Sequence, residues 1–180
     1  MGGHVNLVSV LSGAVAAWLF GAVYYTALGR YWIAAQGKTI EALKLENSGK
    51  STAARALPFV LSFVAELIMG VVIYGVLTHS GLWSLRAGIV TGAFCWAGFI
   101  LTTIAVNNAY GGRRVMLTVI DGVHWLGVLA IIGGIVGSRG PWALPLPPVL
   151  AVLLNVAPDQ SCKHTACNPL MRRRIIGAER

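Results

Sequence analysis

The chain is expected to be all-α, a polytopic membrane protein built as a four-transmembrane-helix bundle over residues 5–137 and followed by a poorly ordered C-terminal tail over 138–180. Three observations predict this. Of the 180 residues, 56% are hydrophobic and only 11% are charged, a balance that a water-soluble domain would struggle to keep in solution. The apolar residues gather into four runs, about 5–28, 57–77, 85–106 and 115–136, each long enough to cross a hydrocarbon core as a helix. Lys and Arg fall between those runs and in the tail, so the net charge of +8 reads as topology and as attraction to anionic headgroups. No basic face with interleaved aromatic residues is present, which excludes nucleic acid as a partner.

The first run opens at Val5 with no basic segment before it, and its length favours a retained span over a cleaved signal peptide. Ala14, Ala17, Gly21 and Tyr24 recur at three-and-four spacing and form a seam along which helices approach closely. Tyr24, Tyr25, Tyr31 and Trp32 crowd its end, where an interfacial aromatic belt is expected. The polar connection from Arg30 to Arg55 holds either a short amphipathic surface helix around Thr39–Leu45 or a solvated loop.

Pro58 stands where the start of the second helix would tolerate it. Near the middle of that run is Glu66, whose burial in a bilayer costs roughly 2.5 to 3.5 kcal/mol on insertion scales. It should therefore face the bundle, with Ser62 and Gly70 on the same stripe, either as part of an ion pathway or as interhelical glue. In the third run Gly88, Thr91, Cys95, Gly98 and Thr102 make a further seam, and Gly88 with Gly92 gives a helix-packing motif expected to act inside the bundle. The fourth run carries Asp121 and His124 one turn apart, with Gly133 and Gly137 at its far end.

Counted from the apolar boundaries, Glu66, Asp121 and His124 come out at similar depth, because the second and fourth spans run in the same direction. These three form the candidate intramembrane polar site, with Ser62, Thr102, Asn107 and Arg113 around it. A Glu66 to His124 contact would lower the cost of both groups, and Arg113 or Arg114 could reach Asp121. No catalytic residue, metal ligand set or cofactor motif is expected. Cys162, His164 and Cys167 lack a fourth ligand, and Cys95 reads as a packing residue. After Ser138, Pro141, Pro145, Pro147 and Pro148 break any long helix, and Trp142–Val156 is expected to belong to the poorly ordered tail, with a re-entrant or interfacial piece, or a fifth span, as the alternatives.

Arg30, Lys38, Lys44, Lys50 and Arg55 occupy the first loop and Arg113 and Arg114 the third, whereas the second holds only Arg86. Loops one and three are therefore expected to be cytoplasmic.

Several residues together resemble a known family. Pro58-Phe59, the stretch Ser62 to Met69, Trp96 to Phe99, Thr102-Thr103, Asn107, Tyr110 to Arg113, Asp121-Gly122 and His124 are similar to the bacterial membrane-protein family called domain of unknown function 1761. Val5-Asn6-Leu7, Gly21, Tyr25, Gly29 and Trp32 agree with it too, so the resemblance runs from about Asn6 to Gly137. It departs at Tyr24 to Ala27, where the family tends to show tryptophan, tyrosine, serine and proline. The resemblance implies a four-helix domain of the bacterial cytoplasmic membrane and brings no activity with it.

On these grounds the expected function is that of a structural or accessory membrane component, not an enzyme. Its partners would be the lipid bilayer and, in a homo-oligomer, a second copy of the chain. The alternative is a small transporter or proton or ion pathway using Glu66, Asp121 and His124, in which case a small solute or ion joins the list.

Overall fold

The computed structural model describes residues 5–140; of the expected tail, Ser138 and Arg139 belong to the last helix, and the expectations beyond Gly140, including the Cys162–Cys167 tract, lie outside the described residues. Within them the chain is entirely helical. Helix α1 spans Leu7–Ala35, α2 Ile40–Ser48, α3 Thr52–Ser80, α4 Leu85–Cys95, α5 Thr102–Tyr110 and α6 Val115–Arg139. A π-helical stretch, Trp96–Leu101, joins α4 to α5 without a break, so Leu85–Tyr110 is one rod. Four helices are thus long and apolar enough to cross a bilayer: α1, α3, this composite rod and α6. The protein is an integral membrane bundle.

Polar side chains start the helices. The Asn6 amide oxygen accepts from the Ser9 N–H, and the hydroxyls of Thr39, Ser51 and Ser84 accept from the N–H groups of Ala42, Ala54 and Ala87. Gly81, at φ +68°, closes α3 in the left-handed conformation that a side chain would strain, and its N–H donates to the Leu77 carbonyl. Gly112 takes the same conformation, φ +60°, in the turn between α5 and α6.

Two boundaries differ from expectation. Helix α3 begins at Thr52, before its apolar run, because Ser51 supplies a cap upstream; Pro58 therefore sits inside the helix and not at its start. The surrounding turns are exposed, so backbone carbonyls near the proline ring stay open to water or headgroups. The amphipathic surface helix is present as α2, capped by Thr39, and one of its carboxylates is tied at both ends. Glu46 accepts from Lys38 and from Lys50 at 3.1 Å, and those ammonium groups hold its exposed carboxyl below the usual range.

Helix α6 is the axis of the bundle, packing against α1, α3 and the composite rod. Its far end meets α4 backbone on backbone. A Cβ placed on Gly88 would overlap the Gly133 carbonyl oxygen, one on Gly92 the Leu129 oxygen, and one on Gly137 the Ser84 oxygen. The paired glycines therefore pack inside the bundle, where close approach replaces the hydrophobic drive that lipid removes.

The same seam does not continue along the rod. A Cβ placed on Gly98 would meet nothing within 4 Å, and Thr102 is exposed, because the wider π turn carries these two positions off the face that meets α6. Thr102 and Thr103 instead donate to the carbonyls of Gly98 and Phe99, at 2.8 and 2.6 Å. In hydrocarbon those bonds supply donors where the regular ladder is disturbed.

Candidate functional site

The core of the bundle is Val10, Ala17, Ile73, Tyr74, Leu77, Val128, Leu129, Ile132 and Val136, contributed by α1, α3 and α6. Next to it, toward the end that carries loops one and three, aromatic and polar side chains take over. Phe20, Tyr24, Tyr25 and Trp125 surround the imidazole of His124, with ring centroids 6.1, 5.4, 4.7 and 5.2 Å away. Gly21 makes room for it, since a Cβ there would lie 2.9 Å from Nε2. The histidine is only 6% exposed, and its Nδ1 finds no hydrogen-bond partner among the described residues.

One turn before it, Asp121 is half-buried and has two donors. The Tyr25 hydroxyl and the Trp32 indole N–H both donate to its Oδ1 at 2.9 Å. Tyr24 donates to the Ile120 carbonyl at 2.9 Å, and Trp96, at the start of the π stretch, to the Gly122 carbonyl at 2.7 Å. Side chains from two other spans are thus tied to one turn of α6. Such bonds between spans are worth around 1 kcal/mol each, with the whole network fixing the rotation of the helices about their axes.

Those contacts correct three expectations. Tyr24, Tyr25 and Trp32 are not a lipid-facing belt; they turn inward onto α6, while Tyr31 alone of the group stays exposed. Asp121 is not held by arginine. Arg114 donates to the Ala34 carbonyl at 3.0 Å, capping the end of α1, and Arg113 is exposed. Uncharged donors satisfy the carboxylate without bringing a second ion into the bundle, which avoids a further desolvation cost.

The third correction concerns depth. Gly70 of α3 faces Val10 of α1 and Ile132 of α6, a Cβ there meeting their side chains at 3.0 and 3.6 Å. Glu66, four residues before Gly70, therefore lies level with Val128, about 6 Å deeper than His124 at 1.5 Å per residue. The boundary count places them together because α3 and α6 are offset along their axes. Glu66 is 2% exposed, its Oε2 has no partner among the described residues, and it does not hydrogen-bond to His124.

The surrounding residues are similarly redistributed. Ser62 donates to the Phe59 carbonyl of its own helix, Thr102 serves the π stretch, and Asn107 is exposed. The adjacent Asn108 makes the cross-hairpin bond, its amide donating to the Thr118 hydroxyl at 3.0 Å. Among the described residues no group of three or more His, Cys, Asp or Glu side chains is placed to hold a metal ion. Tyr25, Trp32, Phe20 and Trp96 are the members of the site that sequence reasoning missed. For Tyr25 and Trp32 the signal was their spacing with Gly21 on the same face as Ala14 and Ala17.

Bundle and site together define a small polytopic membrane protein with a buried histidine set among aromatic rings. The family model described as "Protein of unknown function (DUF1761)" matches residues 8–137, and the chain belongs to that family. The match spans all four membrane helices. No curated protein and no solved structure matches the chain.

Proposed function

We propose that this protein is a structural or accessory component of the bacterial cytoplasmic membrane, without enzymatic activity, whose polar groups hold its helices in a fixed arrangement. The observation that carries this reading is Asp121: its Oδ1 is bonded by Tyr25 and Trp32 of one neighbouring helix, as interhelical glue requires. The orientation that goes with it puts loops one and three in the cytoplasm, on the strength of Arg30, Lys38, Lys44, Lys50, Arg55, Arg113 and Arg114. The composite rod, the least covered of the four spans, offers Phe94, Phe99 and Val106 outward to lipid or to another membrane helix.

The alternative, a carrier or ion pathway through Glu66, Asp121 and His124, draws support from the unpaired atoms of Glu66 and His124 but not from Asp121. Extraction of the full chain into native-lipid discs followed by mass measurement separates the two. An accessory component is recovered with a second copy or a larger assembly. A lone chain that conducts ions or solute after reconstitution would overturn the proposal.

A further inference from the structure

Glu66 Oε2 and His124 Nδ1 are the two buried side-chain atoms that lack a partner among the described residues, and each belongs to a side chain more than nine-tenths buried. They lie on α3 and α6, about one turn apart in depth, beside the small-residue seam of α1. No lysine or arginine of the described residues forms an ion pair with Glu66; the ion pairs present are both on Glu46, outside the spans. A carboxylate enclosed in hydrocarbon without a cation is prohibitively costly, and binding a proton removes the charge. The neutral acid can donate one hydrogen bond, and an imidazole nitrogen without a hydrogen can accept one.

A second observation concerns the other seat for that proton. Tyr24 and Tyr25 tilt against His124 with ring centroids 5.4 and 4.7 Å away, within the distance at which a ring face attracts a cation. Asp121, one turn away on the same helix, accepts from Tyr25 and Trp32 through its Oδ1. Burial favours the neutral ring, and the two tyrosine faces lower the cost of an imidazolium. We propose that Glu66 and His124 form an intramembrane proton-binding site, in which one exchangeable proton is seated on the Glu66 carboxyl or on the His124 imidazole.

Transfer between the seats breaks the Glu66 Oε2–H bond and forms an Nδ1–H bond on His124. A neutral pair becomes a carboxylate and an imidazolium, with no oxidation or reduction and no other reactant. Closing the gap of about one turn requires side-chain rotation or a bridging water. The titratable groups packed against the His124 ring are Tyr24 and Tyr25 of α1, and Asp121 lies one turn before it on α6. This site is separate from the accessory role proposed above, and either can fail alone.

The test uses the full chain in lipid nanodiscs. Infrared difference spectra across a pH titration should show a protonated carboxyl band that is absent in Glu66→Gln and retained in Asp121→Asn. Glu66→Gln has the shape of the neutral acid and is expected to fold. In that variant the ¹⁵N resonances of the His124 ring should titrate about one pH unit away from the wild-type midpoint, a tenfold change in proton affinity. A carboxyl band that survives Glu66→Gln, the lack of any such band, or an unmoved His124 midpoint would each overturn the proposal.

Discussion

Helix α6 holds two of its neighbours by opposite means. Toward α4 it presents Gly133 and Gly137, and the helices touch carbonyl to glycine, with no side chain between them. Toward α1 it presents Asp121, His124 and the Ile120 carbonyl, and the contact is made by rings and hydrogen bonds from Phe20, Tyr24, Tyr25 and Trp32. Lipid tails are as apolar as leucine, so neither contact can rely on expelling water. The first gains dispersion by close approach and tolerates no added volume. The second gains specific bonds, each of which can be lost singly while the others persist.

Substitutions should separate the two contacts in graded fashion. The largest effect is expected from Gly88→Leu or Gly133→Leu, where the new side chain meets backbone that cannot yield. A loss of about 3 kcal/mol, enough to prevent assembly of the bundle, should appear in unfolding from mixed micelles. Gly21→Leu should cost about 2 kcal/mol by the same assay, because the obstacle there is the His124 ring, which can swing aside within its cage. If Gly21→Leu proved as damaging as Gly88→Leu, the distinction between a rigid and a yielding interface would fall.

Smaller still should be Tyr25→Phe and Trp32→Phe. Each removes one donor from Asp121 and leaves the other, so about 1 kcal/mol is expected for either alone. The double variant should lose more than their sum, since it leaves the carboxylate without a donor. Outside the membrane, Glu46→Gln should leave bundle stability unchanged, as exposed pairs contribute little. The pH dependence of that tie has a defined sign. The carboxyl is held below its ordinary value of 4.5, so the bonds to Lys38 and Lys50 are complete above that value and fade as the pH falls through the lowered one. Amide resonances of α2 should report the change while those of α6 stay still.

Much of this architecture could be read from the residues. The four spans follow from apolar length, and the motifs at Gly88–Gly92 and Gly133–Gly137 announced close packing. Their pairing with each other did not, because spacing shows that a helix face is smooth and not which neighbour covers it. Glu66 and His124 do face inward as their chemistry requires, since desolvation leaves ionisable groups in a span no cheaper place. Their relative depth is illegible because hydropathy marks where an apolar run begins, whereas α3 begins at Ser51's cap, before the run, and α6 begins with it. The rings at Tyr24, Tyr25 and Trp32 mislead for a related reason. Position near a span's end suggests a belt, but rotation about the axis decides whether a ring meets lipid or protein. Arginine is an attractive partner for Asp121 only while charge is weighed and hydroxyl and indole donors are not.

The π stretch at Trp96–Leu101 bears on how this chain could change length. Removing one residue from a membrane helix ordinarily rotates everything beyond the cut by about 100° and spoils its packing. Here the widened turn already contains one residue more than an α-helix would use, so a deletion within it could be absorbed by reverting to regular pitch. The rod would survive, but Trp96 would lose its aim at the Gly122 carbonyl and the face beyond it would be re-indexed against α6. The surplus residue thus works as a phase adjuster, setting which side of α5 looks into the bundle independently of where α4 is clamped.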